Sequence, residues 1–232
     1  MARLTRKELK SDKFALEVQH SVEYVSEHRK QLIRWGAIGA GVLIVVIAIF
    51  FYRNHEHAAR QEALYDAMRI ENAQVGKSGN DFDLTFATDT ERVKAANKAF
   101  TEIATKYSGS EEAAIADYFL GANAADDGNL AEAEKRLKVA TEASGAFSSI
   151  AKMALAQIYG TEGKVSEGEK LIQSVIDHPT ILVSKEEATI ELAQLIGKTD
   201  PARARKMLEP FRTSTRPNLS RAAVSALGDL GK

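Results

Sequence analysis

The feature that most constrains this chain is an uninterrupted apolar run near its N-terminus. Residues 35–52 read WGAIGAGVLIVVIAIFFY, eighteen residues without a charge, bracketed by Arg34 and Arg53. A helix of that length rises about 27 Å, close to the roughly 30 Å thickness of the hydrocarbon core of a bilayer. Trp35 and Tyr52 stand at its two ends, where amphipathic rings favour the membrane interface. The run therefore predicts a single transmembrane helix.

Two other interpretations of this run are a buried helix of a soluble protein and a cleavable signal peptide. No polar residue interrupts the run and charges bracket it, which disfavours a buried helix. A signal peptide would need a charged region 34 residues long, and no small-x-small cleavage site follows Tyr52. We therefore expect the helix to remain in the mature protein as an anchor.

The charges on either side of the anchor predict its orientation. Residues 1–34 hold eight Lys or Arg against five Asp or Glu. Short basic segments stay in the cytoplasm, whereas long domains are translocated whatever their charge. We therefore expect a cytoplasmic tail over 1–34 and an extracytoplasmic domain over 53–232.

The tail also carries an apolar stripe at helical spacing. This stripe predicts an amphipathic helix that lies on the inner leaflet, docks on a cytoplasmic partner, or only continues the anchor as a solvated helix. The residues of the stripe are Leu9, Phe14, Val18, Val22 and Val25.

Small residues crowd the first turns of the anchor. Gly36 and Ala40 form one small-xxx-small pair, and Ala37 and Gly41 form another. Such faces let membrane helices approach closely, so a homo-oligomer through this helix is one expectation. The alternative is that Gly and Ala are simply common in membrane helices.

Composition argues against several classes of function. The net charge is −1, too small for nonspecific binding to nucleic acid. The chain has no cysteine, which excludes disulfides and thiolate metal sites. His55 and His57 would point about 200° apart on a helix, and no Ser, His and acid pattern is present. We therefore predict no enzyme activity, no cofactor and no metal site.

Beyond Arg60 the chain reads as helical, and a pattern recurs in it after 35 residues. In each unit, small and large apolar residues alternate at the spacing of two packed helices joined by a glycine turn. This pattern resembles the tetratricopeptide repeat, a helix–turn–helix of about 34 residues; an unrelated array of helical hairpins is the alternative. The first copy is Leu120-Gly121, Gly128, Ala133, Leu137 and Ala140, and the second is Leu155-Ala156, Gly163, Gly168, Ile172 and Val175.

Two further units are more degenerate. The earlier one has Ala96, Phe100 and Ile103 in its second helix, and residues 57–75 as its first helix, beyond an insertion at 76–90. That insertion predicts a long surface loop, or an extended piece in which Phe82, Leu84 and Phe86 alternate. The later unit has Leu192, Ala204, Leu208 and Phe211 at the repeat positions.

The end of the chain carries clear helix signals. Asp200 is expected to cap a helix that starts with Pro201. Residues 217–230 predict a terminal capping helix. The expected fold is therefore all-α, with one N-terminal transmembrane helix followed by a tetratricopeptide-repeat-like α-solenoid.

The resemblance to this repeat implies a concave binding face lined by first-helix residues, with Leu120 and Leu155 at the seventh repeat position. A Tyr and a Met there suit adaptable contacts with varied partners, although both could instead pack between adjacent helices. The implied residues are Tyr118, Ala122, Asp126, Met153, Gln157, Thr161, Ile190 and Gln194.

The whole arrangement carries a second resemblance. A short tail, one anchor and the juxtamembrane stretch FYRNHEHAARQEALYDAM, followed by degenerate repeats, are similar to the YfgM-type family of bacterial inner-membrane proteins. That resemblance implies periplasmic repeats, partners among Sec translocon subunits and periplasmic chaperones, and no catalytic residues or cofactor. We therefore expect a membrane-anchored scaffold that binds proteins. A scaffold for cell-envelope or outer-membrane assembly is the alternative, and an enzyme is a third.

Overall fold

The structure is a computed structural model that describes residues 29–76 and 84–230, leaving aside the side chains of 29, 31, 32 and 52–54. The chain divides into two compact units, Met1–Ala58 and Ala59–Lys232. The predicted amphipathic stripe of the tail and Phe82 lie outside the described residues.

The first helix, α1, runs without a break over Arg29–Glu71. Its apolar part is exposed, with a mean hydropathy of 2.3 in the most apolar window and none of that window buried. Among the described residues it is the one helix long and apolar enough to cross a membrane, a property that membrane spans share with signal sequences. Gly36, Ala37, Ala40 and Gly41 all lie on its exposed surface, and their role in helix packing stays a prediction.

The second unit, Ala59–Lys232, contains the end of α1 and a series of antiparallel hairpins. From α2 to α8, successive helices are joined by three to seven residues and pack on their neighbours in chain order. They are α2 Asp89–Lys106, α3 Glu111–Asp126, α4 Leu130–Thr141, α5 Phe147–Thr161, α6 Val165–Asp177, α7 Lys185–Ile196, α8 Pro201–Leu208, a 3₁₀ turn Glu209–Phe211 and α9 Pro217–Asp229.

The two central hairpins, α3–α4 and α5–α6, turn in the same way 35 residues apart. Gly128 and Gly163 have φ of 76° and 75°, a left-handed conformation that favours glycine. After each glycine, the next N–H donates to the carbonyl five residues back at 2.8 Å, which satisfies an end carbonyl of the first helix. The predicted 35-residue period is confirmed at this turn.

Small residues mark the crossing inside each of these hairpins. A Cβ on Gly121 would lie 2.7 Å from Leu137 Cγ and 3.3 Å from the carbonyl oxygen of Ala133. A Cβ on Gly168 would lie 3.0 Å from the carbonyl oxygen of Ala156. The helices of each hairpin therefore approach at the positions that the repeat pattern predicts.

The end of α1 acts as the first helix of the first hairpin, alongside α2. Arg60 Nε lies 3.5 Å from Glu112 Oε2, and Asn123 Nδ2 donates to Glu71 Oε2 at 3.3 Å. Glu112 follows Arg60 by 52 positions, and Asn123 follows Glu71 by the same 52. The last three turns of α1 therefore run parallel to α3 in a constant register.

The connection between α1 and α2 differs from a plain loop over 76–90. Strand β1, Gln74–Val75, pairs in parallel with strand β2, Thr85–Phe86, and closes the base of the insertion. Helix α2 then begins at Asp89, because the Thr88 side chain accepts the N–H of Glu91 and caps it. The helix predicted over 57–75 therefore ends early, at Glu71, and the connection runs over 72–88 in place of the predicted 76–90.

The last hairpin and the terminal helix complete the unit. Asp200 accepts the N–H of Arg203 at 3.0 Å and Pro201 opens α8, so this predicted cap is confirmed. Helix α9 occupies the segment where the capping helix is expected, and it buries Leu219, Ala223 and Ala226 in the core formed by α5 to α8.

Candidate protein-binding face of the first helices

The candidate face consists of residues on α3, α5 and α7, the first helices of three successive hairpins. Tyr118, Ala122 and Asp126 follow one another at four-residue steps, so they lie on one side of α3. Their burial falls along the helix, from half-buried Tyr118 and Ala122 to exposed Asp126. The C-terminal end of this side of α3 is therefore the part open to a partner.

Tyr118 bridges two neighbouring first helices. Its ring meets Phe147, at the start of α5, edge to face at 5.3 Å, and meets Phe119 at the same distance. Burial, assisted by the negative charge of Asp126, raises the pKa of the Tyr118 hydroxyl above its ordinary value. Tyr118 therefore packs between helices while staying half-buried, and whether it also contacts a partner stays a prediction.

The α5 part of the face is mostly polar at its surface. Gln157 and Thr161 are exposed, whereas Met153 is half-buried and packs against the C-terminal core. Gln157 Nε2 donates to Glu191 Oε1 of α7 at 2.8 Å. This bond joins two parallel first helices 34 residues apart and was not visible in the sequence, because nothing local marks it.

The α7 part of the face is divided between the core and the solvent. Ile190 is only 4% exposed and belongs to the C-terminal core, so it offers little surface to a partner. Gln194, one turn later, is exposed. Half of the eight predicted residues, namely Asp126, Gln157, Thr161 and Gln194, are thus accessible, and whether they bind a partner stays a prediction.

The surface of the face is made of polar side chains. Among the residues that the structure describes, no three His, Cys, Asp or Glu side chains are grouped so that they could hold a metal ion. The predicted residues supply one carboxylate, two amides and one hydroxyl at the surface, which are hydrogen-bonding groups suited to recognition.

The family comparison agrees with this arrangement. A family model described as a tetratricopeptide repeat-like domain matches residues 27–205. The chain belongs to this family. Domains of this kind are typically non-catalytic modules that bind proteins, and the match indicates a protein-interaction scaffold. No curated protein and no solved structure matches the chain.

Two clefts of the tetratricopeptide repeat-like domain lie away from the predicted face and between its helices. One, of about 430 Å³, lies where α2, α3 and α4 meet and includes Val139 and Asp117. Asp117 is bound there by Arg136 at 2.9 Å. The other, of about 240 Å³, lies between α1 and α2 and is lined by three alanines, Ile70 and Ile103 together with four polar residues. Sequence reasoning missed both clefts, since they depend on how helices distant in the chain pack against one another.

Inter-repeat ion pairs hold successive hairpins together. Glu134 of α4 forms ion pairs with Lys138 of the same helix and, at 3.3 Å, with Lys164 of the next hairpin. It also accepts a hydrogen bond from the hydroxyl of Tyr159. The lysine partners, Lys138 above all, lower the pKa of Glu134. Glu169, 35 positions later, is paired with an arginine of the following hairpin at 2.6 Å. The ion pairs thus repeat with the fold and do not converge on a site.

Proposed function

We propose that this protein is a membrane-anchored scaffold that binds other proteins through its repeats beside the secretion machinery, as an ancillary factor or chaperone adaptor at the Sec translocon. The observation that carries the proposal is the continuity of α1. One helix, Arg29–Glu71, contains both the apolar run and the first helix of the repeat array. The helix continues through residues 53–58, and no small-x-small cleavage site follows Tyr52, and both features support an anchor over a signal sequence.

The proposed location is the inner membrane of a bacterium, with the N-terminus in the cytoplasm and the repeats in the periplasm. The excess of Lys and Arg in residues 1–34 supports this orientation. The similarity to the YfgM-type family supports the same placement and the translocon as a neighbour. A chain without cysteine is also compatible with an oxidising compartment.

The proposed contact surface is the accessible part of the first-helix face. Stacked helix pairs expose a continuous surface without supplying reactive groups, which suits a scaffold. Tyr118 and Met153 provide a ring and a thioether at its apolar side, and such groups adapt to varied partners. We propose partners that are proteins, and no nucleic acid.

The test is capture of partners by the full-length protein in mild detergent. Enrichment of translocon subunits or periplasmic chaperones would support the proposal. Enrichment of outer-membrane assembly factors would favour the alternative, a scaffold for envelope assembly. Capture of neither group would contradict both.

A pair of matched charge variants tests whether the first-helix face is the surface that captures partners. Asp126→Lys with Gln194→Lys alters two exposed positions of the face, so we expect weaker capture and an unchanged melting temperature. Glu142→Lys with Gln173→Lys makes the same change of charge on exposed residues of the second helices and their ends, and should leave capture intact. Equal capture by the two variants would place the contact elsewhere.

The apolar side of the face is tested by Tyr118→Ala with Met153→Ala. If this side contacts the partner, capture falls while the domain stays folded. Lost stability with normal capture would mean that both side chains serve only the packing of adjacent helices.

A further inference from the structure

The loop between α6 and α7 presents two large apolar side chains to solvent. Ile181 is 95% exposed and Leu182 is 45% exposed. Adjacent exposed apolar residues are unusual on a soluble surface and mark contact with a protein or a lipid surface. We call this pair the apolar tip.

The apolar tip is held in place by its neighbours. Thr180 Oγ1 accepts the N–H of Leu182 at 3.3 Å and that of Val183 at 3.2 Å, and lies 2.8 Å from the hydroxyl of Ser149 in α5. Val183 itself is buried in the C-terminal core. The fold therefore keeps Ile181 and Leu182 outside on an ordered turn, and their exposure does not come from a frayed segment.

The loop that carries the apolar tip lies on one particular edge of the domain. Because each hairpin reverses the chain, α3, α5 and α7 all begin at the same edge, and so do the loops that precede them. The Arg60–Glu112 contact puts the start of the α1 segment at that edge as well. The apolar tip is thus on the edge where the domain begins, at Ala59.

Little chain separates that edge from the proposed anchor. Only residues 53–58 lie between the apolar run and Ala59, and six residues span at most about 20 Å even when fully extended. This covalent limit keeps Ala59, where the domain begins, within about 20 Å of the end of the apolar run. A contact that is weak on its own becomes populated at the high effective concentration that such a short tether imposes.

We propose that the apolar tip, Ile181 and Leu182, contacts the lipid surface of the membrane that anchors the chain. The proposal rests on the proposed anchoring by residues 35–52. Charges near the apolar tip fit a headgroup region. Lys185 is exposed beside it, while Glu186 is paired with Arg216 at 2.6 Å and Glu187 accepts the N–H of Ser184.

The chain has no cysteine, so single labelling sites are available in the full-length protein. Three variants carry an environment-sensitive fluorophore: Ile181→Cys at the apolar tip, Asp127→Cys in the α3–α4 loop at the opposite edge, and Val45→Cys in the apolar run. Each is placed in lipid vesicles made with or without brominated lipid, with no other protein present.

We expect brominated lipid to quench the labels at 181 and 45 and to leave the label at 127 unaffected. A quenched label at 45 with unquenched labels at 181 and 127 would overturn the lipid contact while the anchor stands, and would assign the apolar tip to a protein partner. Quenching at 127 equal to that at 181 would also overturn it, since no edge would be preferred. An unquenched label at 45 would contradict the anchor itself.

Discussion

At the scale of single residues, the hairpins depend on side chains that are small enough. Ala133 is fully buried at the crossing of α3 and α4, where its carbonyl lies against Gly121. Helices α3 and α4 cannot move apart at this point, because each is also packed against a neighbouring hairpin. A larger residue at this crossing must displace a helix.

We predict that Ala133→Leu lowers the free energy of unfolding by about 1 to 3 kcal/mol through overpacking. Ala131→Leu is the control, since Ala131 is exposed on the same helix and the substitution is identical. Thermal unfolding of the purified chain in detergent, followed by far-UV circular dichroism, measures both. If the two variants have the same melting temperature, the assigned repeat register is wrong.

Tyr118 gives a prediction at high pH. Burial raises the pKa of its hydroxyl in the folded protein above the value of about 10 in an unfolded chain. Its contribution to stability is therefore fully present below pH about 10 and is lost as the pH rises through the folded pKa. Tyr118→Phe has no proton to lose, so we expect it to lose less stability than the unmodified chain above that pH.

Denaturant unfolding across that pH range measures this difference. Tyr65→Phe is the matched control, because the Tyr65 side chain is 65% exposed, and it should follow the unmodified chain. Identical profiles for the Tyr118 and Tyr65 variants would show that Tyr118 is open to solvent.

At the scale of elements, a polar cluster joins α1, α2 and α3. Asn123 is only 8% exposed, and its amide donates to Asn97 Oδ1 at 2.8 Å and to Glu71. Arg92 of α2 also contacts the Glu71 carboxylate, at 3.2 Å. The cluster ties the end of α1 into the repeat array.

We predict that Asn123→Ala lowers the free energy of unfolding by about 1 to 3 kcal/mol, because it leaves buried polar groups without a partner. Hydrogen exchange should rise in residues 59–71 more than in 185–196. Asn218→Ala is the control, since Asn218 is exposed and bonded only within its own helix. Equal exchange in the two variants would mean that the cluster does not hold α1.

The sequence allowed the elements to be predicted where a local signal exists. Gly128 and Gly163 recur at a fixed interval and both need a positive φ, and Asp200 before Pro201 marks a helix start. The length of α1 could not be predicted from such a local signal. Its pairing with α3 depends on contacts across 52 residues, which leave no periodic trace in the sequence.

The candidate face could likewise be predicted only in part. Repeat register placed its residues on the first helices, because register follows from the glycine turns. Burial could not be predicted in this way. Ile190 is in the core while Gln194 is exposed. Which turns of α7 are buried depends on the helices that pack against it, and the sequence of α7 alone does not show this.

At the scale of the whole molecule, the two ends of the array differ. Helix α9 covers the C-terminal hairpin with apolar residues, as a repeat array requires for solubility. At the other end, the cleft between α1 and α2 is open. Within the tetratricopeptide repeat-like domain, the end formed by α1 and α2 therefore keeps some uncovered apolar surface.

The orientation of the chain gives the last prediction. The basic excess of residues 1–34 should hold the tail in the cytoplasm, and the long domain beyond the run should cross the membrane. A reporter active only in the periplasm should therefore work when fused after Lys232 and be silent when fused before Met1.

Replacing Arg3, Arg6 and Lys7 with glutamine should weaken this preference, because it removes part of the positive charge that keeps the tail in the cytoplasm. The same substitution at Arg203, Arg205 and Lys206, far from the run, is the control and should not. A reporter that works only at the N-terminus would contradict the periplasmic placement and leave the repeat fold itself untouched.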